Sequence, residues 1–208
     1  MALEKLFTEE NKCDFLVREE ALNYPAKKQG EYTLKDYYAS PDDHRIELID
    51  GIIYDMSAPT LTHQAVTGEI YRQIANFIFD HNGQCKPFVS PVDVQLDCDD
   101  RTMVQPDIII VCDRDKITDR CVMGAPDFVL EVLSPATRSK DCVKKLDKYM
   151  GAGVREYWLV DIKQQKVIVY QFESEIYPII YGWDQTIPVS IYEGKLIIDM
   201  RMMPEVTV

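Results

Sequence analysis

Two carboxylates stand where buried strands would ordinarily exclude them, and they define the chemistry open to this chain. Asp107 opens the run Gln105-Pro-Asp-Ile-Ile-Ile-Val, and Glu131 interrupts Phe128-Val-Leu-Glu-Val-Leu. Both runs have the length and β-branched content of covered strands. An ionised acid in such a setting must be paired, protonated or bound to a cation, because bare burial is costly. Period-two geometry puts Glu131 on the face shared by Val129 and Leu133. If the two strands are neighbours, their acids converge, and a hard divalent cation is held by one or two carboxylates together with waters and substrate phosphates. The competing reading is structural: a buried Glu paired with an Arg or Lys, and a strand-start Asp satisfied by nearby amides.

A lysine supplies a third member. Over Lys140–Met150 the helical pattern puts Cys142, Leu146, Tyr149 and Met150 on an inner stripe, with Lys145 on its flank and Lys144 and Lys148 turned farther toward solvent. An ammonium beside two acids orients an attacking water or stabilises charge developing in a transition state. An ordinary salt bridge from Lys145 to Asp141, four residues earlier, is the alternative.

The elements that must position these groups follow from local signals. Thr33 caps a short helix that Ser40-Pro41 ends. Asp50-Gly51 joins two strand-like runs, Arg45–Ile49 and Ile52–Met56, as a hairpin. A longer helix begins at His63, with Val66, Ile70, Ile74, Phe77 and Ile78 on one stripe and His81-Asn-Gly as its stop. Strands are expected over Phe88–Leu96, Asp107–Cys112, Phe128–Leu133, Tyr157–Val160 and Lys166–Phe172. Further strands near Ile176–Tyr181, Val189–Tyr192 and Leu196–Ile198 make a β-rich C-terminal extension. Apolar residues on both faces of Phe128–Leu133 make it a central strand.

Bulk properties narrow the class. A chain of 208 residues, 46% hydrophobic and 28% charged, suits one α/β domain with its own core. Residues 1–31 read as an N-terminal arm and 32–208 as a single domain. No apolar run is long enough to span a membrane, and the acidic N-terminus lacks the features of a signal peptide. The six cysteines have neither C-x-x-C nor zinc-like spacing, so they read as free thiols in a reducing cytoplasm. A formal net charge of −12 repels nucleic acid at long range, so a phosphate-binding role must rest on a local basic patch or on metal ions.

The ordered phrases Arg45-Ile-Glu47-Leu-Ile-Asp-Gly51, Ala58-Pro-x-x-x-His63, Ser90-Pro-Val-Asp93, Gln105-Pro-Asp107, Gly124-Ala-Pro-Asp-x-Val-x-Glu131-Val-Leu-Ser-Pro135, Asp141-x-x-x-Lys145-Leu-x-x-Tyr149 and Gly153-Val-x-Glu-Tyr-Trp-Leu-Val-Asp161 closely resemble the Uma2 family over roughly residues 32–200. That family is of restriction-endonuclease type with a PD-(D/E)XK core. The resemblance implies a restriction-endonuclease-like mixed central β-sheet flanked by helices. It implies Asp107, Glu131 and the Val132 carbonyl as ligands of Mg²⁺ or Mn²⁺, and Glu47 as an additional acid from the first core element. The position two after Glu131 is Leu133 rather than lysine, so Lys145 takes the part of a migrated lysine. His63, at a helix start, is a candidate contact to substrate.

The function so implied is a divalent-metal-dependent phosphodiester hydrolase, a DNA endonuclease acting as a homodimer. A nuclease fold used as a catalytically inactive binding or assembly module is the alternative, favoured by the acidic charge and by the absence of a dense basic stretch beyond Lys140–Lys148.

Overall fold

The computed structural model describes residues 27–41, 44–135, 138, 140–174 and 177–204. The first 26 residues of the expected arm lie outside the described residues. Helix α1 (Leu34–Tyr37) starts at Thr33, whose backbone N–H and hydroxyl both donate to Asp36. The hairpin of β1 (Ile46–Ile49) and β2 (Ile52–Asp55) turns at Asp50 and Gly51, whose φ values of 52° and 77° are the left-handed pair a two-residue turn requires. Gly51 is also sterically fixed, since a Cβ there would lie 2.6 Å from the Gly30 carbonyl oxygen.

Helix α2 (Leu61–Asp80) follows, capped by Thr60, whose side chain accepts from the His63 N–H. Its four-residue repeat of Val66, Ile70, Ile74 and Ile78 is buried, as the apolar stripe requires. The chain then lays down β3 (Lys86–Val89), β4 (Val94–Gln95), β5 (Ile108–Val111), β6 (Val122–Met123) and β7 (Phe128–Val132). A π-helical turn over Lys140–Lys145 runs directly into α3 (Leu146–Ala152). Strands β8 (Glu156–Asp161), β9 (Lys166–Gln171) and β10 (Ile179–Gly182) and the small hairpin of β11 (Thr186–Pro188) and β12 (Ile197–Asp199) complete it.

Six strands form one mixed sheet in the order β10-β9-β8-β7-β5-β3. Within this sheet β7 and β8 are the parallel pair, and the crossover between them is the segment carrying the π turn and α3. Strand β7 is central and buried throughout, which explains its unbroken apolar character. Alternation sorts its side chains. Phe128, Leu130 and Val132 pack with α2 and with Ile187 and Ile198 of the C-terminal hairpin, while Val129 packs with Ile49, Tyr149 and Tyr157 on the opposite face. Glu131 shares the parity of Val129 and therefore faces β1 and α3.

Four expectations change. The strand anticipated over Phe88–Leu96 is two short pieces, β3 and β4, because Ser90 and Pro91 divide it. Around Val189–Tyr192 the chain makes a 3₁₀ turn over Ser190–Tyr192 instead of a strand. Met150 is 53% exposed although a uniform α-helix would bury it. The wider π turn shifts the phase, so the buried face is Asp141, Lys145 and Tyr149, spaced by four. Finally, Cys85 and Cys112 are not free thiols but a disulfide with an S–S distance of 2.09 Å. The antiparallel register Lys86↔Val111 puts them opposite one another at the next position, a relation invisible to sequence spacing. Among the described residues no helix is long and apolar enough to cross a membrane.

Candidate active site

The register of β5 and β7 builds the centre of the site. Ile108 pairs with Leu130, so one step further along the antiparallel ladder Asp107 stands opposite Glu131. The ladder ends there because the Asp107 carboxylate takes the next amide, with Oδ2 accepting from the Val132 N–H at 2.8 Å. Pro106, lacking an N–H, precedes it at the strand entry. The two acids line one cavity of about 510 Å³, together with Glu47, Lys145 and His63.

Lys145 reaches into this group from the end of the π turn. Its Nζ lies 2.7 Å from Glu131 Oε1, 2.6 Å from Glu47 Oε1 and 3.6 Å from Asp141 Oδ1. The i−4 bridge to Asp141 is thus the longest of its three contacts. Lys145 is 2% exposed, so its ammonium is held inside the protein. Glu47, entering from β1 with no exposure at all, also accepts from the Gln105 N–H at 2.9 Å and pairs with Lys140. Glu131 receives a second hydrogen bond from the Tyr149 hydroxyl at 2.9 Å. Tyr157 in turn donates to the Asp141 carbonyl at 3.2 Å, fixing the π turn against β8.

Electrostatics separate the two carboxylates that share Lys145. Burial pushes both acids up, but for Glu47 the adjacent Lys145 and Lys140 outweigh it and hold the group below the usual carboxylate range. Glu131 is held well above that range: burial dominates, Lys145 opposes it, and the negative fields of Asp141, Asp107 and Glu47 add to it. Burial would depress Lys145, but Glu131, Glu47 and Asp141 outweigh it and hold the ammonium well above its usual range. Four carboxylates (Glu47, Asp107, Glu131 and Asp141) and three lysines (Lys140, Lys145 and Lys163) line the cavity, a formal excess of one negative charge before His63 is counted.

His63 comes to the same point from the start of α2. Its Nε2 lies 3.2 Å from Asp107 Oδ2, with the side chain 13% exposed. Burial alone would depress the imidazole, but the contact with Asp107 and a backbone hydrogen bond to Val132 raise it.

The donor set suits a hard cation. The bonds described leave Oδ1 of Asp107 and Oε2 of Glu131 uncommitted to them, on residues that line the cavity. Among the described residues no three His, Cys, Asp or Glu side chains form a ready-made metal cage. That is compatible with Mg²⁺-type sites, which use few protein ligands and complete the shell with water and phosphate.

The structure therefore brings Glu47, Asp107, Glu131, Lys145 and His63 to one cavity, and adds two residues that the sequence patterns did not single out. In the sequence Lys140 belongs to a basic run and Tyr149 to the inner stripe of its helix. A buried tyrosine hydroxyl requires a partner, and that requirement was the available signal.

These features define a mixed α/β domain with a charged cavity where β5 and β7 separate. The Uma2 profile, described as "putative restriction endonuclease", matches residues 34–189, and the chain belongs to this family. Among solved structures it is similar to a putative nuclease of the DUF820 group from Anabaena variabilis, with 21% identity and a TM-score of 0.67, covering 82% of this chain and 96% of that one. That likeness establishes the shared fold. No curated protein matches the chain.

Proposed function

We propose that the chain is a divalent-metal-dependent phosphodiester hydrolase that cuts DNA. The observation that carries this reading is the cross-strand pair Asp107 and Glu131 beside the buried ammonium of Lys145. Family membership supports the nuclease class. Asp107, Glu131 and the Val132 carbonyl would hold Mg²⁺ or Mn²⁺, which when bound supplies Lewis-acid polarisation of a phosphoryl oxygen and a more acidic water. Lys145, steadied by Glu47, would orient the attacking water and offset charge gathering on the phosphate. Glu47 acts here through Lys145, as a positioning residue. Lys140 would meet a flanking phosphate at the cavity wall. A homodimer would bring two such sites to opposite strands.

The test is nicking of supercoiled plasmid by the full chain in Mg²⁺ or Mn²⁺. Activity should vanish with a chelator and fall about a hundredfold or more in Asp107→Asn, Glu131→Gln and Lys145→Met. Undiminished nicking by both acid variants would refute the assignment. The alternative, an inactive binding module, draws its support from the net charge of −12. It differs in a cheap observable: no rise in melting temperature on adding the ion, whereas specific binding stabilises the native state by mass action.

A further inference from the structure

The phrase Ser90-Pro-Val-Asp93 and the side chains of Arg45 and Gln105 take no part in lining the cavity that holds the acids. Arg45, Pro91, Asp93 and Gln105 meet instead at a second cavity, of about 440 Å³. Glu47 and Asp107 line the first cavity; Arg45 and Gln105, each two residues earlier, line the second. Two residues of chain span at most about 7 Å, so the cavities adjoin at a step comparable with that between successive phosphates of a nucleic-acid strand.

Hydrogen bonds at this second cavity fix a guanidinium and leave its charge uncompensated. Tyr37 donates its hydroxyl proton to Asp93 Oδ1 at 2.8 Å, and Gln105 Nε2 donates to the same oxygen at 3.0 Å and to the Tyr37 hydroxyl at 2.8 Å. With its nitrogen so committed, the Gln105 amide turns Oε1 toward Arg45, accepting from Nη2 at 2.9 Å and from Nε at 3.2 Å. Ser90 Oγ accepts from Nη2 at 3.0 Å. These acceptors are neutral, Arg45 has no ion pair among the described residues, and the described bonds leave Nη1 free. A guanidinium held by neutral partners with one end free is preorganised for an anion. Arg120 adds a second cation, its guanidinium carbon 3.3 Å over the Tyr38 ring, a contact that brings no opposing charge. Asp93 is the carboxylate on this wall, and His44 is bonded to Asp55, which lies off it. Arg45 and Arg120 against Asp93 leave a formal excess of one positive charge, opposite in sign to the neighbouring cavity.

We infer that this second cavity binds a backbone phosphate of DNA, gripped by Arg45 and Arg120, next to the phosphate presented to Asp107 and Glu131. The inference rests on the proposed hydrolysis of DNA and adds to it the place where the strand is held. Gln105 ties the two contacts together, since its backbone N–H holds Glu47 and its side chain holds Arg45. The grip needs no metal, so it forms even while the acid cavity disfavours a phosphate.

The probe is a short fluorescein-labelled DNA duplex, with binding to the full chain followed by anisotropy over a range of salt in chelator. Arg45→Gln and Arg120→Gln should each weaken binding about threefold to tenfold, alike for unrelated sequences, and lower the slope of log affinity against log salt by about one. Arg45→Lys should restore the slope without the full affinity, because it keeps the charge and loses the planar fork. Arg120 is exposed, so its variant carries the test should Arg45→Gln not fold. Affinity and slope unchanged in folded variants would overturn the site. So would DNA binding in Ca²⁺ that is lost in Asp107→Asn but indifferent to both arginines, a result that leaves the proposed hydrolysis standing. Arginine-dependent binding in chelator without metal-dependent nicking would sustain the site and refute the hydrolysis. Inorganic phosphate is titrated separately: saturation at the arginines, with neither variant altering DNA affinity, would mark a pocket for a small free anion and overturn the strand contact.

Discussion

Replacing Lys145 by methionine keeps most of the side chain's length and apolar stem while deleting the one charge that joins β1, β7 and the π turn. The ammonium is 2% exposed and lies 2.6 Å and 2.7 Å from two carboxylates that are themselves buried. Removing one partner of a buried ion pair typically costs about 3–5 kcal/mol, because the surviving charge is left without compensation. The two losses do not simply add. Glu47 retains Lys140 and the Gln105 amide, and Glu131 retains the Tyr149 hydroxyl and is the acid already biased toward protonation. We therefore expect the single-pair range rather than twice it. In a domain of this size that corresponds to a fall in melting temperature of roughly 6–20 °C. Urea denaturation followed by tryptophan fluorescence and circular dichroism measures it directly. The companion variant Glu131→Gln, combined with Lys145→Met, removes an acid together with its cation. The pair should then show a coupling energy of roughly 1–3 kcal/mol rather than additive losses. A Lys145→Met protein within about 1 kcal/mol of wild type, or strict additivity in the cycle, would refute the view that this lysine holds the site together.

Three other outcomes follow from named contacts. Glu47→Gln should lose about 3 kcal/mol of stability yet still bind Mn²⁺, as expected of an anchor for Lys145; intact stability with abolished Mn²⁺ binding would make it an ion ligand instead. Reduction of Cys85–Cys112, which are 27 residues apart in sequence, should cost up to roughly 3.5 kcal/mol by loop entropy, and non-reducing peptide mapping should recover the cross-linked pair. Glu156, fully buried beneath Trp158 and Ile191, is pushed by burial from 4.5 up to about 6. An acid raised on folding binds more protons in the native state between those two values, so its contribution to stability falls as pH rises from 4.5 to 6. The total is about 2 kcal/mol, and this component should be missing from the stability profile of Glu156→Gln.

The parts of this fold that sequence reasoning recovers are those encoded within a few residues. Asp50-Gly51 announces its hairpin because only a left-handed pair closes a two-residue turn. The stripe of Val66, Ile70, Ile74 and Ile78 announces α2 because helical period and burial coincide. The acids at 107 and 131 were conspicuous because each breaks an otherwise apolar strand. What escaped depends on distant partners or on a change of helical period. The exposure of Met150 and the inward face of Asp141 both follow from the π turn, which a uniform 100° wheel does not represent. The bond from Gln105 to Glu47, the pairing of Lys140 with Glu47 and the approach of His63 to Asp107 span long stretches of chain and leave no local periodic trace. The disulfide likewise requires the register of β3 on β5.

The acidic character of the chain bears on how an anionic substrate could approach it. Several acids are already neutralised locally: Lys148 lies against Asp50 and Asp97, Arg155 against Asp127 and Glu173, and Arg138 against Asp161. At the cavity four carboxylates still outnumber Lys140, Lys145 and Lys163 by one formal charge. A bare site would therefore disfavour a phosphate, whereas one dication would reverse the sign of the local field and add to Lys140 and Lys163 on the wall. Metal binding and substrate binding are then linked through the local field. DNA affinity measured with Ca²⁺, which fills oxygen sites, should exceed that measured in chelator, and Asp107→Asn should shrink the difference. Equal affinity under both conditions would show that substrate is held elsewhere on the molecule, away from the acids that define this cavity.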